Sequence, residues 1–125
     1  MIREETAVVT QSFSTLSRLA MAIKRHLLRQ PAETQRPLRV LVVDDEPTVT
    51  RFVVRVLTGA GITTWSAAGG GEALRMVPTL GKLDLLLTDL MMPSMNGDEL
   101  ARRLRGQTSP RQESAIARWF RSSWL

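Results

Sequence analysis

Cysteine is absent from the 125 residues, which excludes disulfides, thiol catalysis and thiolate metal sites and agrees with a cytoplasmic setting. No apolar run reaches the roughly 18 residues that a membrane helix needs. The opening Met1-Ile2-Arg3-Glu4-Glu5 lacks the basic-then-apolar order of an export signal. The expectation is therefore a chain neither inserted in a membrane nor exported. Lysine occurs only as Lys24 and Lys82, and histidine only as His26. At this length, with 43% apolar residues, the chain supports one hydrophobic core and one domain at most.

Charge is present but unevenly placed. Residues 1–37 carry six basic and three acidic side chains, residues 38–100 five and eight, and residues 101–125 six and one, so the net +5 belongs to the ends. An acidic middle argues against nucleic-acid binding by the central fold, while either flank suits an acidic surface.

Three segments follow: an N-terminal amphipathic helix with its linker (1–37), an alternating strand–helix region (38–105) and a basic tail (106–125). In the first, Phe13, Leu16, Leu19, Ala20, Ile23 and Leu27 share one helical stripe, with Arg18, Lys24, Arg25 and Arg29 mostly elsewhere. Gln30-Pro31 stops this helix, and the polar stretch to Arg36-Pro37 reads as a linker.

The middle segment contains two near-continuous apolar runs, Leu38–Val43 and Leu83–Thr88, the pattern of strands buried on both faces. Pro47 suits a first helical turn, and Val49, Phe52, Val53, Val56 and Leu57 repeat with helical spacing up to Gly59 and Gly61. A strand at 62–66, a helix at about 71–80 and a helix at about 96–105 complete a βαβαβα order. That order implies a parallel sheet with right-handed crossovers. Asp44-Asp45 close the first apolar run and Asp89 the second. Ligands of open α/β sheets bind outside the carboxyl ends of strands, so the three acids are expected to form one site.

Val40-Leu41-Val42-Val43-Asp44-Asp45-Glu46 followed by Asp89-Leu90-Met91-Met92-Pro93-Ser94-Met95-Asn96-Gly97, with the acids at a separation of 89 − 45 = 44 residues, closely resembles the receiver domain of bacterial response regulators. The resemblance covers residues 38 to about 105. It implies a flavodoxin-like doubly wound parallel sheet, Asp89 as phosphoacceptor, and Mg²⁺ held by Asp44, Asp45, Asp89 and the backbone carbonyl of Met91. It also implies a phosphorelay module rather than an enzyme, with a sensor histidine kinase or phosphotransfer protein as partner. Carboxylates about 5 Å apart repel by roughly 3 kcal/mol per pair at an effective dielectric near 20, so a hard cation suits the trio. In the loop after Asp89, Pro93 is expected to stiffen the turn, and Gly97 to permit a close or positive-φ backbone.

The departure from the family follows Arg105. A full receiver has five strands, with Ser or Thr ending the fourth and Lys ending the fifth, both contacting the phosphoryl group. Only 125 − 89 = 36 residues follow Asp89, and residues 106–125 contain no valine and one isoleucine. About three strands are therefore expected, in the order 2-1-3 with the strand from Leu38 in the centre. The chain reads as a shortened receiver, impaired in switching and without a DNA-binding output domain. The tail reads as a helix with Ser109, Pro110 and Gln112 at its start and Ile116, Trp119, Phe120 and Trp124 as its stripe. Its abrupt composition also fits an out-of-frame extension. The apolar face of the helix after Pro47 then needs a cover. Five such side chains are worth roughly 7–15 kcal/mol together, as much as a domain's net stability. The stripe of residues 13–27, the tail stripe and a partner protein are the candidates.

His26-Leu27-Leu28-Arg29-Gln30-Pro31 echoes the phosphorylation box of histidine kinases, but it lacks the acidic residue after histidine, and a solvated histidine on a basic helix is the better reading. The alternative to a phosphoacceptor is a non-phosphorylated interaction module using the amphipathic ends, or a non-functional gene fragment.

Overall fold

The computed structural model describes residues 7–11, 13–28 and 37–105. Eight elements alternate along the chain: β1 (Ala7–Gln11), α1 (Phe13–Leu28), β2 (Arg39–Val43), α2 (Pro47–Gly59), β3 (Thr63–Ala67), α3 (Gly70–Leu80), β4 (Leu85–Asp89) and α4 (Gly97–Arg105). No helix among the described residues is long and apolar enough to cross a membrane.

The apolar runs become the central strands. β2 and β4 lie side by side, with Val40 to Val43 opposite Leu85 to Thr88, and are buried almost throughout. β3, which pairs with β2 from Arg39 opposite Thr63 to Val43 opposite Ala67, is half-exposed as befits an edge. The three strands of the receiver-like segment thus take the expected order, with the strand from Leu38 in the centre.

The sheet has a fourth strand that the sequence reading missed. β1 pairs in parallel with β4, from Ala7 opposite Leu85 to Gln11 opposite Asp89, so the spatial order is β1-β4-β2-β3. The segment read as helix and linker therefore begins with a strand, and the expected three strands become four. In the 2-1-3-4-5 order of flavodoxin-like sheets, β1 stands beside the third strand, in the fourth position.

The crossover rule explains where α1 then lies. The path from β1 to β2 runs toward the β3 edge, as does the path from β2 to β3, so right-handed connections put α1 and α2 on one face. Leu16, Leu19, Ala20 and Ile23 of α1 accordingly pack with Val49, Val53 and Leu57 of α2 and with Val40, Val42, Leu85 and Leu87 of the sheet. The cover needed by α2 is this helix. On the opposite face, Leu41, Val43 and Leu86 pack with Ala73 and Val77 of α3 and Leu100 and Leu104 of α4, and Val8 of β1 lies against this second cluster.

Local chemistry fixes the ends of the elements. Pro47 opens α2 as expected, and Gly61 follows it at φ 84, a conformation that costs glycine little. Asn96 caps α4, its Oδ1 accepting the Glu99 N–H at 2.8 Å. At the end of the sheet away from Asp89, the Arg39 guanidinium donates to the carbonyls of Lys82, at 2.7 Å, and Leu80 and lies 4.6 Å from the Trp65 ring. It clasps β2 to the α3–β4 loop. The tail features from Ser109 to Trp124 lie outside the described residues, as do the side chains of Phe13, His26 and Leu27.

Candidate phosphoacceptor site

β2 and β4 end level with one another and deliver Asp44, Asp45 and Asp89 to one spot. One carboxylate oxygen from each lies within 4.8 Å of the others. Asp44 and Asp89 are 1% and 4% exposed, whereas Asp45 is open to solvent. Two acids are thus sunk at the sheet's carboxyl edge while the third stands at the mouth.

Backbone N–H groups partly satisfy the buried pair. The Glu46 N–H donates to Asp44 Oδ1 at 2.8 Å, and the Met91 N–H points to Asp89 Oδ1 at 3.4 Å. Asp44 Oδ2 is buried and has no hydrogen-bond partner among the described residues. Leaving a buried acceptor unmatched is costly, and a carboxylate oxygen of this kind, beside two further carboxylates, is a donor set for a hard cation. The residues present therefore fit Mg²⁺.

Burial pushes the Asp44 carboxyl up to about 6. The Glu46 N–H opposes this, and the neighbouring charges of Asp89 and Asp45 add to it. Asp89 is also raised, again first by burial, with the Met91 N–H opposing and the Asp45 charge contributing. Both shifts report the same physics: negative charge gathered where water is scarce.

The loop after Asp89 carries local strain. The Met95 N–H donates to the Pro93 carbonyl at 2.8 Å across Ser94, which has φ 70. This three-residue turn with positive φ is the rare form of the γ-turn. Positive φ thus falls on Ser94 and not on Gly97. Gly97 is buried, and its N–H donates to the Leu90 carbonyl at 2.8 Å. Met91, two residues past Asp89, has a side chain 74% exposed at the rim. The sequence reading had no role for β1, whose Gln11 stands opposite Asp89.

Comparison with known proteins agrees with this arrangement. The family model for the response regulator receiver domain matches residues 40–117, running 117 − 105 = 12 residues beyond α4. The chain is 43% identical over 70 residues to the DNA-binding response regulator MtrA of Mycolicibacterium smegmatis, a match covering 56% of this chain and 30% of that one. It is 36% identical to the sensor kinase CckA of Brucella abortus over 68% of this chain and 9% of the relative. It is 40% identical to the sensor protein EvgS of Escherichia coli K12 over 64% and 7%. The match thus spans less than a third of each relative's length. A response regulator receiver protein from Pseudomonas putida superposes with a TM-score of 0.54 at 30% identity, covering 58% of this chain and 60% of that one. With a flavodoxin-like parallel sheet, an acidic trio at its carboxyl edge and a family match over more than half its length, the chain belongs to the response regulator receiver domain family.

Proposed function

We propose that this chain accepts a phosphoryl group on Asp89, with Mg²⁺ held by Asp44, Asp45, Asp89 and the Met91 carbonyl, as a module of a two-component phosphorelay. The observation that carries this reading is the meeting of the three carboxylates, within 4.8 Å, at the ends of two adjacent buried strands.

The step is a displacement at phosphorus. An Asp89 carboxylate oxygen forms the new P–O bond, the bond from phosphorus to its donor breaks, and the leaving group keeps the electron pair. Bound Mg²⁺ would neutralise charge on the transferred group. Asp44 and Asp45 bring the negative charge that attracts the cation, and the Met91 N–H steadies Asp89. The phosphoryl group stays on the chain, so it acts as a signalling acceptor and turns over no substrate. A sensor histidine kinase or a phosphotransfer protein is the fitting donor, since two matched relatives are a sensor kinase and a sensor protein. A cytoplasmic setting follows from such a donor.

Incubation with a small acyl phosphate and Mg²⁺, followed by intact-mass measurement, tests the proposal. The parent gains one phosphoryl group and Asp89→Asn gains none. Equal labelling of the two proteins would place the chemistry elsewhere.

A further inference from the structure

The loop between Asp89 and α4 is hydrogen-bonded mostly to itself. The N–H groups of Met91, Met95 and Gly97 donate to Asp89, Pro93 and Leu90 in turn, all inside residues 89–97. Its hold on the rest of the molecule comes from side chains, and Met92 and Met95 pack, half-buried, against the cluster that contains α3. Met95 lies against Gly70, in the first turn of α3, so closely that a Cβ at Gly70 would stand 2.6 Å from its Sδ and 3.2 Å from its Cβ and Cγ. At Gly69 and Gly71, on either side, an added Cβ would meet nothing nearer than 3.6 Å.

The backbone does not require glycine at position 70. Positive φ among the described glycines falls on Gly61 and Gly81, and glycine weakens a helix relative to alanine. What Gly70 provides is a notch, and Met95 fills it. Contacts around the acids thereby close into a ring. Asp89 leads through the loop to Met95, Met95 touches Gly70, and three residues before Gly70 the Ala67 carbonyl accepts the Asp44 N–H at 3.2 Å. Within that ring Ser94, next to Met95, keeps φ 70. A non-glycine residue stays in such a conformation only where its surroundings fix it.

We propose that Gly70 and Met95 are positioning residues for the metal site: the Met95 side chain, seated in the Gly70 notch, fixes the strained loop and with it the Met91 backbone, whose carbonyl would hold Mg²⁺. This rests on the metal-binding reading above. Met91 gains little support of its own, since its side chain is 74% exposed and its N–H reaches Asp89 Oδ1 only at 3.4 Å. A backbone ligand has no rotamer to adjust, so the chain on either side decides where it sits. Moving Met95 therefore moves the Met91 carbonyl.

Mg²⁺ titration of the full chain by NMR, paired with urea unfolding in metal-free buffer, tests the proposal. Gly70→Ala forces Met95 from its seat and is expected to weaken Mg²⁺ binding about ten-fold. Met95→Ala removes the anchor and is expected to weaken it to a similar extent. The added methyl then meets neither Sδ nor Cγ, so the double variant should bind no more weakly than Met95→Ala alone. Val77→Ala, buried in the same cluster about two turns along α3, is expected to lower the unfolding free energy and leave Mg²⁺ affinity within about two-fold of the parent's. In the parent, a nuclear Overhauser contact between the Met95 methyl and the Gly70 α-protons checks the seat without any variant. Binding by Gly70→Ala within about two-fold of the parent, additive losses in the double variant, an equal loss of affinity in Val77→Ala, or absence of the Met95–Gly70 contact each overturns the positioning role and leaves the acids as the metal site. A parent that binds no Mg²⁺ overturns the metal reading and this inference together.

Discussion

Asp44 shows how the site is set against the stability of the fold. Its carboxyl is raised to about 6 by burial, whereas an unfolded aspartate titrates near 4. Between those values the folded state holds the extra proton, so this group favours folding at low pH, and that contribution is lost as pH rises through about 6. Once it is lost, the ionised carboxylate costs the metal-free protein up to about 3 kcal/mol. The expected result is that, without Mg²⁺, the parent's Tm falls from pH 4.5 to pH 7 by more than that of Asp44→Asn, and that saturating Mg²⁺ narrows the difference. Parallel pH profiles for the two proteins in metal-free buffer would show that Asp44 does not carry this penalty. The acids were legible in the sequence because each directly follows an apolar run that folds as a buried strand. The γ-turn at Ser94 was not legible, since the sequence offered Gly97 as the residue suited to positive φ and the Pro93–Met95 hydrogen bond chose otherwise.

At the level of elements, α1 explains how α2 is covered. Leu16, Leu19 and Ile23 are buried against α2 and the sheet, and three such side chains contribute roughly 5–9 kcal/mol together. Leu19→Ala should lower the unfolding free energy in urea by about 2–5 kcal/mol, whereas Met21→Ala, on the exposed side of the same helix, should change it by about 0.5 kcal/mol or less. Similar losses for both would mean that the helix is not seated as described. The stripe itself was readable from its period. β1 was not, because Ala7-Val8-Val9-Thr10-Gln11 is short and has no turn residues to bound it. Its hydrogen-bonding partner begins 85 − 7 = 78 residues later, and an edge strand defined by so distant a ladder leaves little trace in local pattern. β2 and β4 were readable because burial on both faces requires unbroken apolar sequence.

For the whole molecule, the placement of buried polar groups limits how far a change at Asp89 travels. The buried polar side chains among the described residues are Asp44, Thr88 and Asp89, all at the site, while both sheet faces beyond it are apolar. A modification shifts an equilibrium only through contacts that differ between two states, and among the described residues the buried polar side chains stop at this edge. Amide exchange with and without Mg²⁺ and beryllofluoride should therefore change in residues 44–47, in residues 89–97 and at the end of β1, with β3 and the clasp at Arg39 unaltered. Protection spreading into residues 106–125 would reveal a switch built from the tail. Mg²⁺ alone should raise the Tm of the parent and not of Asp89→Asn, with stabilisation of about 2.7 kcal/mol at one hundred times the dissociation constant.

Peptide mass mapping of the phosphorylated chain tests the central claim most directly. After treatment with a small acyl phosphate, a single hydroxylamine-sensitive phosphoryl group is expected on the peptide containing Asp89, present with Mg²⁺ and lost when the metal is chelated. Modification mapped to any other residue, or unchanged yield after chelation, would contradict the assignment of Asp89 and its acidic neighbours as a metal-dependent acceptor site.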